Sequence, residues 1–318
     1  MKLISIITPV FNEEDNIKDC YFAVKNVFET HLKDYNYEHI FADNASTDNS
    51  LRVIKEIAAT DKRVKIIVNS RNFGASKSSF NSLMYAKGDA AIYTIAADLQ
   101  DPPDMIPDFI KKWESGYQIV YGVRETREEN SLLTFIRKRY YRMVRSLSEF
   151  DIPNDVGDFQ LLDKIVVDNL RKYDDYFPYV RGLIAQTGFD AAGIKYKHKK
   201  RIKGKAKGTL YPIIDLGING LVSFTNIPLR IATISGFFIS ILSVVFALVQ
   251  LVLWIINTFV YGKELAAPGL TTLILGMFLF FGITLFFIGI LGEYIGAIHA
   301  QVRKGPTVIV REKVNFDD

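Results

Sequence analysis

Leu3-Ile4-Ser5-Ile6-Ile7-Thr8-Pro9-Val10-Phe11-Asn12-Glu13-Glu14-Asp15 opens the chain with an apolar run that breaks abruptly into polar and acidic residues. The continuous stretch Leu3–Pro9 is what a strand buried on both faces requires. It is too short and wrongly flanked for a secretory signal. Working outward, Ile17, Tyr21, Val24 and Phe28 recur at helical spacing. Tyr37–Ala42 predicts a second strand, and Ser46–Thr47 a cap for a helix carrying Leu51, Ile54 and Ile57. Strands at Val64–Val68, Ala90–Ile95 and Gln118–Val123 alternate with helices at Ala75–Lys87 and Met105–Ser115. This βα alternation predicts an α/β domain with a mostly parallel, Rossmann-like sheet. Ligands on such sheets bind outside the carboxyl ends of the strands.

Polar residues gather where those strands end. Strand one runs into Pro9-Val10-Phe11-Asn12-Glu13, strand two into Asp43-Asn44-Ala45-Ser46-Thr47-Asp48, and strand four into Asp98-Leu99-Gln100-Asp101-Pro102-Pro103. Each loop alone reads as a turn or helix cap. Together at one edge, three acidic loops repel one another unless they bind something. Hard oxygen donors suit Mg²⁺ or Mn²⁺ bridging to substrate phosphates, and a nucleotide diphosphate is the natural candidate.

Past Arg124 the alternation weakens. Leu132–Phe150 predicts a basic helix, Phe159–Leu162 a short strand and Lys164–Arg171 a helix. Eight basic residues, Lys195 to Lys207, then form a cluster attracted to anionic headgroups by ~1 kcal/mol per charge. No aromatic stacking pattern accompanies it, so nucleic acid is not the expected partner. The apolar stripe Leu210, Ile213, Ile214, Ile218, Leu221 and Val222 suits a helix in the membrane interface, or one packed on the soluble domain.

No charged residue occurs from Ile231 through Gly262, or from Leu265 through Gly292. A membrane span needs ~20 apolar residues, so two transmembrane helices are expected. The 318 residues then divide into a catalytic domain at 1–208, an interfacial amphipathic helix at 209–229, a two-helix transmembrane region at 230–300 and a tail at 301–318. Arg230, Arg303 and Lys304 flank the spans, while the connecting turn holds Lys263 and Glu264. By the positive-inside rule the soluble domain and both termini face the cytoplasm of the cell membrane. Cys20 is the lone cysteine, so no intrachain disulfide can form. Thr307–Val310 reads as a tail strand, which could pair with a second copy in a homo-oligomer.

The series Pro9-Val10-Phe11-Asn12-Glu13-Glu14, Asp43-Asn44-Ala45-Ser46-Thr47-Asp48, Asn72-Phe73-Gly74 and Asp98-Leu99-Gln100-Asp101-Pro102-Pro103 resembles the family 2 inverting glycosyltransferases of GT-A fold. Gly157-Asp158-Phe159-Gln160-Leu161, Arg201 with Gly204 and Lys207, Ser223-Phe224 with Pro228-Leu229-Arg230, and Gly292-Glu293-Tyr294-Ile295-Gly296 extend the likeness. The polyprenyl-phosphate branch, with its dolichyl-phosphate mannose synthases and GtrB-type bactoprenol glucosyltransferases, is the nearest match. That resemblance implies transfer of a hexose from a nucleotide sugar, UDP-glucose by the GtrB likeness, to undecaprenyl phosphate. GDP-mannose as donor, or a processive polysaccharide synthase, are the alternatives. The Gln-x-x-Arg-Trp sequence expected of a synthase is absent. A non-catalytic adaptor binding acidic lipids is a rival of another class.

The resemblance also implies roles. Pro9, Phe11, Asn12 and Glu13 would hold base and ribose, and Asp43 would accept from a base N–H. Lys77 would reach the nucleotide phosphates, or be an exposed helix lysine. Asp98 and Gln100 would hold the metal. Many relatives carry Asp two residues before Asp98 where this chain has Ala96, which leaves Asp101 as a further candidate ligand. Asp158, with Asp155 as its neighbouring rival, would sit beside the anomeric carbon. Arg124, Arg137, Arg201 and Lys207 would bind the acceptor phosphate, for which arginine offers a two-point fork. Arg127 also follows strand five, and Arg181 matches a family arginine near the acceptor.

Overall fold

The structure, a computed structural model, describes residues 1–124, 156–175, 178–199, 227–259, 270–303 and 305–316. The chain divides into two compact units, Met1–Gly220 with Lys304–Asp318, and Leu221–Arg303.

The first unit opens β1 (Lys2–Val10), α1 (Ile17–His31), β2 (Tyr35–Asp43), α2 (Ser50–Thr60), β3 (Val64–Asn69), α3 (Ala75–Leu83) and β4 (Ala90–Tyr93). A 3-10 turn (Pro103–Met105), α4 (Ile106–Glu114) and β5 (Ile119–Arg124) follow. Then come β6 (Val156–Asp163), α5 (Lys164–Leu170), α6 (Val180–Gln186), β7 (Ala191–Tyr196) and, near the C-terminus, β8 (Val310–Val314). Among the described residues these eight strands form one sheet in the order β7-β5-β6-β4-β1-β2-β3-β8. β1 pairs in parallel with β2 and β4, β2 with β3, and β5 with β7. β6 runs antiparallel between β4 and β5, and β8 antiparallel along β3. The fold is thus a mixed α/β, GT-A-like Rossmann sheet.

β1 sits at the centre because its residues are apolar on both faces. Ile4 and Ile6 join Val24, Val27 and Phe28 of α1, Phe109, Ile110 and Trp113 of α4, and Phe159 and Leu161 of β6 in one core. Val10 belongs to a second core with Phe41, Ile66, Val68 and Ile54 and Ile57 of α2.

Several boundaries differ from the sequence expectation, each for a local reason. Ser46 and Thr47 do not cap α2, which starts at Ser50; the Ser46 hydroxyl accepts from Asn12 N at 3.0 Å instead. α3 stops at Leu83 rather than Lys87: Met84, Tyr85 and Ala86 N–H reach back three residues instead of four, and tertiary acceptors take the amides after them. Lys87 N donates to Glu38 Oε1 at 2.7 Å and Gly88 N to Ser5 Oγ at 2.9 Å. β4 ends at Tyr93, where Thr94 takes a left-handed φ of 61°. The tail strand is Val310–Val314, not Thr307–Val310, and it pairs with β3 of its own chain. β7 and α6 carry no pattern strong enough to predict. The predicted helices at Leu132–Phe150 and 209–229 lie outside the described residues.

The second unit holds α7 (Ile227–Phe259) and α8 (Leu270–Val302), 33 residues each. Leu279–His299 is, among the described residues, the segment long and apolar enough to cross a membrane. Large apolar side chains such as Phe281, Leu285 and Phe286 stand exposed along it, far more than a soluble surface tolerates.

A buried ion pair lies in the sheet. Lys65 Nζ meets Glu38 Oε2 at 2.6 Å, and Ser5 Oγ donates to Glu38 Oε1 at 2.5 Å. Lys65→Ala leaves that carboxylate without its cation, a loss of about 3–5 kcal/mol for buried pairs. A clear drop in the thermal midpoint of the purified chain is expected. The apolar double replacement Glu38→Leu/Lys65→Met should lose less than Lys65→Ala.

Candidate active site

The order of strands turns around at β1. From it β2 and β3 extend to one side and β4 to the other, so β1 and β4 form the switch point at which such sheets bind ligands. β6 runs against its neighbours, so its start, not its end, reaches the carboxyl edge. Tyr93 of β4 is level with Gln160, and Val123 of β5 with Val156. Across that edge therefore stand Tyr196, Arg124, Asp158, the loop bearing Asp98, the loop from Pro9 to Glu13, Asp43, and Asn69 with Asn72.

Val10 pairs with Asp43, which sets the first two acidic loops side by side. They are stitched together. Thr47 N donates to Asn12 Oδ1 at 2.7 Å, Glu13 N to Ser50 Oγ at 2.8 Å, and Asn49 N to Glu14 Oε2 at 2.8 Å. Asn12 and Ala45 hold left-handed φ values of 55° and 59°, a backbone state that marks functional turns. Glu13 Oε2 accepts from Asn16 Nδ2 at 2.6 Å. Pro9 and Phe11 are half-buried beside them.

Asp43 is fully buried. Both its carboxylate oxygens accept from Ser46 N at 3.3 Å. Burial raises its pKa above the usual aspartate value, while the Ser46 hydrogen bonds and the charge of Arg311 pull it down. Arg311 belongs to β8, so the tail contributes to the electrostatics here. An amide relay that the sequence did not reveal fixes the next loop. Asn69 Nδ2 donates to Asn44 Oδ1 at 3.0 Å, Phe73 N donates to the same oxygen at 3.0 Å, and Asn44 Nδ2 donates to Asn72 Oδ1 at 2.8 Å. Gly74 follows at φ 89°, where a side chain would be strained. Lys77 stands in the first turn of α3, its pKa lowered by burial and then by Arg71.

Beyond β4, Ile95 N donates to Ile7 O at 2.8 Å, which keeps the Asp98 loop running beside β1. Gln100 N donates to Asp98 Oδ1 at 3.3 Å. The Gln100 amide nitrogen turns to Lys199 O at 3.5 Å. Among the described residues no group of three or more His, Cys, Asp or Glu is placed to hold a metal ion. One carboxylate and one amide oxygen fit an ion that completes its shell with phosphate oxygens and water, as Mg²⁺ does. Asp101, the further candidate ligand beside Ala96, is turned to side-chain partners. It is 4% exposed and engaged by Tyr196, by Arg124 Nη2 at 3.4 Å and by His198 Nε2 at 3.7 Å.

Asp158 forms a two-point pair with Arg181 of α6, with Nε to Oδ1 at 2.7 Å and Nη2 to Oδ2 at 3.2 Å. Arg124, at the end of β5, lies against Gly157, the residue before Asp158. Arg127, Arg137, Asp155, Arg201 and Lys207 lie outside the described residues.

The family profile for glycosyl transferase family 2 matches residues 5–171. Over 318 residues the chain is 35% identical to the uncharacterized glycosyltransferase YkcC of Bacillus subtilis, covering 99% of this chain and 95% of that protein. Over 313 residues it is 33% identical to the SfII prophage-derived bactoprenol glucosyl transferase of Shigella flexneri, covering 97% of each. A solved structure, glucosyl-3-phosphoglycerate synthase from Mycobacterium tuberculosis, aligns with 70% of this chain and 76% of its own at 16% identity and a TM-score of 0.49.

The raised pKa of Asp43 has a thermodynamic consequence. A carboxyl whose folded value exceeds its unfolded one favours the fold below the unfolded pKa, and that gain is lost as pH rises through the folded value. At neutral pH the buried charge therefore costs stability. Asp43→Asn is expected to raise the thermal midpoint at neutral pH, and the difference should fade in acid below the carboxylate range.

Proposed function

The chain belongs to glycosyl transferase family 2, and we propose that this enzyme transfers glucose from UDP-glucose to undecaprenyl phosphate, with inversion at the anomeric carbon. One observation carries the reading. An acid-rich sheet edge bearing Asp98, Asp158 and Arg124 is followed in the same chain by two 33-residue apolar helices. Such a tail keeps a catalytic domain at the membrane, where a lipid-borne phosphate is confined. The extent of the likeness to bactoprenol glucosyl transferases, 97% of both chains, supports the same acceptor.

Donor binding falls to the β1, β2 and β4 loops. Pro9, Phe11, Asn12 and Glu13 hold base and ribose, Asp43 accepts from the base, and Lys77 reaches the diphosphate. Asp98 and Gln100 would hold a divalent ion, Mg²⁺ or Mn²⁺, which when bound supplies positive charge to the leaving diphosphate. Arg124, Arg137, Arg201 and Lys207 bind the acceptor phosphate. One of its oxygens forms the new bond to the anomeric carbon. The bond from that carbon to the diphosphate oxygen breaks, and its electron pair leaves with UDP. A lipid monophosphate has its second pKa at ~6 and is largely ionised at neutral pH, so the attack needs no strong base. Asp158, held at two points by Arg181, orients acceptor and sugar.

Strand order supports a two-span topology. β8 comes after α8 in sequence yet pairs with β3, so the chain returns to the side it left. If α8 crosses the bilayer, α7 crosses it too. Positive flanks at Arg230, Arg303 and Lys304 favour the cytoplasm for the catalytic unit and both termini.

Purified enzyme incubated with undecaprenyl phosphate and labelled UDP-glucose should place label in a mild-acid-labile lipid. UDP-galactose, UDP-N-acetylglucosamine and GDP-mannose are the competing donors. EDTA should stop the reaction, and added Mg²⁺ or Mn²⁺ restore it. Asp98→Asn and Asp158→Asn should each lower turnover by about 10²-fold or more. Label confined to free sugar or polymer would reject the reading, and an adaptor would show no turnover to lose. For topology, Lys33→Cys and Lys313→Cys report on exposed positions before and after the helices, while native Cys20 is buried. An impermeant maleimide should label neither variant in intact cells and both after lysis.

A further inference from the structure

We propose that Asp101 and Tyr196 are positioning residues for Arg124, fixing the plane of its guanidinium for the acceptor phosphate. The proposal rests on the reading of Arg124 as a ligand of that phosphate.

Three strands bring the cluster together. Arg124 ends β5 and Tyr196 ends β7, and the two are paired in the parallel register. Asp101 arrives from the loop after β4. The Tyr196 hydroxyl donates to Asp101 Oδ1 and accepts from Arg124 Nε at 3.1 Å. Arg124 Nη2 donates to the same Asp101 oxygen at 3.4 Å. A closed triangle of phenol, carboxylate and guanidinium results. Asp101 and Tyr196 are 4% and 3% exposed, so water cannot replace either partner.

The ring of Tyr196 is itself fixed. It lies over Gly122, where an added Cβ would come within 2.7 Å of the ring. It meets the Phe159 ring edge-on at 5.8 Å between centroids. Burial, and then the charge of Asp101, raise the phenol pKa above its usual value, so the hydroxyl keeps its proton to donate. On its other side the Arg124 guanidinium lies against Gly157, with Nη2 3.4 Å from where a Cβ would be. The fork is thereby set one residue from Asp158.

An arginine offers five N–H groups in one plane. Here Nε and one N–H of Nη2 are committed inside the protein. Their partners define the plane of the fork, and the outer pair on Nη1 and Nη2 retains the two-point geometry that phosphate needs. A free arginine would lose side-chain entropy on binding that the triangle has already removed. This also gives the acidic residue beside the Asp98 loop a role.

The test uses full-length enzyme in detergent, with undecaprenyl phosphate and UDP-glucose varied separately. Tyr196→Phe removes the hydroxyl and keeps the ring. An acceptor KM about tenfold higher is expected, with donor KM and the metal concentration for half-maximal rate unchanged. Asp101→Asn should shift the acceptor KM in the same direction. Arg124→Ala is the reference, with the largest acceptor effect. If Arg124→Ala leaves the acceptor KM unchanged, the assignment of Arg124 fails and the proposal with it. If Arg124→Ala raises it but Tyr196→Phe does not, the positioning role alone is wrong. A higher metal requirement in Asp101→Asn at constant acceptor KM would return Asp101 to the metal and overturn the proposal. Should Asp101→Asn not fold, Tyr196→Phe decides alone, with its thermal midpoint as the check on integrity.

Discussion

The parallel pairing of β1 with β2 and β4 is the constraint on which the rest depends. Val10 lies opposite Asp43, and Ile95 continues the β4 line by bonding to Ile7. Two acidic loops and the Asp98 loop are thereby forced to one edge. A register slip of one residue would turn every side chain of β1 to the other face. Ile4 and Ile6 would then leave the core they share with α1 and α4. The apolar interior that stabilises the sheet and the polar edge that does the chemistry are two results of a single alignment.

Bringing so much polarity to one edge requires that each group be held. The backbone amides of Asn12, Glu13, Thr47 and Phe73 are satisfied by side chains from neighbouring loops, and that of Ser46 by Asp43 of its own loop. Buried polar groups left without partners are costly, and here the partners also set loop shape. Left-handed backbone at Asn12, Ala45, Thr94 and Leu99 occurs at the same edge. Local strain of this kind persists only where the surroundings over-determine it. The β1 and β2 loops are thus held by hydrogen bonds of their own.

Much of this was legible in the residues. The apolar run of β1, the helical spacing of α1 and the acidic strand ends predicted both the sheet and the edge. What escaped prediction depended on tertiary partners. β7 is half exposed, and its one lysine, Lys195, reads as part of a basic cluster rather than as the outward face of an edge strand. α6 is seven residues long, too short for periodicity to speak. The Asn44, Asn69 and Asn72 relay joins positions with no pattern in sequence. Asp101 reads as a further metal candidate because it lies one residue from Gln100 in sequence; its neighbours in space, Tyr196 and Arg124, carry no sequence pattern that joins them to it. Ser46 looked like a helix cap, and serves the β1 loop instead.

The strand that closes the outer side of β3 is made of Val310–Val314, while β3 itself is Val64–Asn69. During synthesis the ribosome must complete more than two hundred intervening residues, α7 and α8 among them, before that partner exists. Until then β3 presents an open row of amides and carbonyls, the kind of edge that invites pairing with another nascent chain. Both helices are thus synthesised before the last step of sheet assembly. Lys55 with Glu312, and Asn315 bonded to Ala58 O and Val64 O, act as the latch that finishes it.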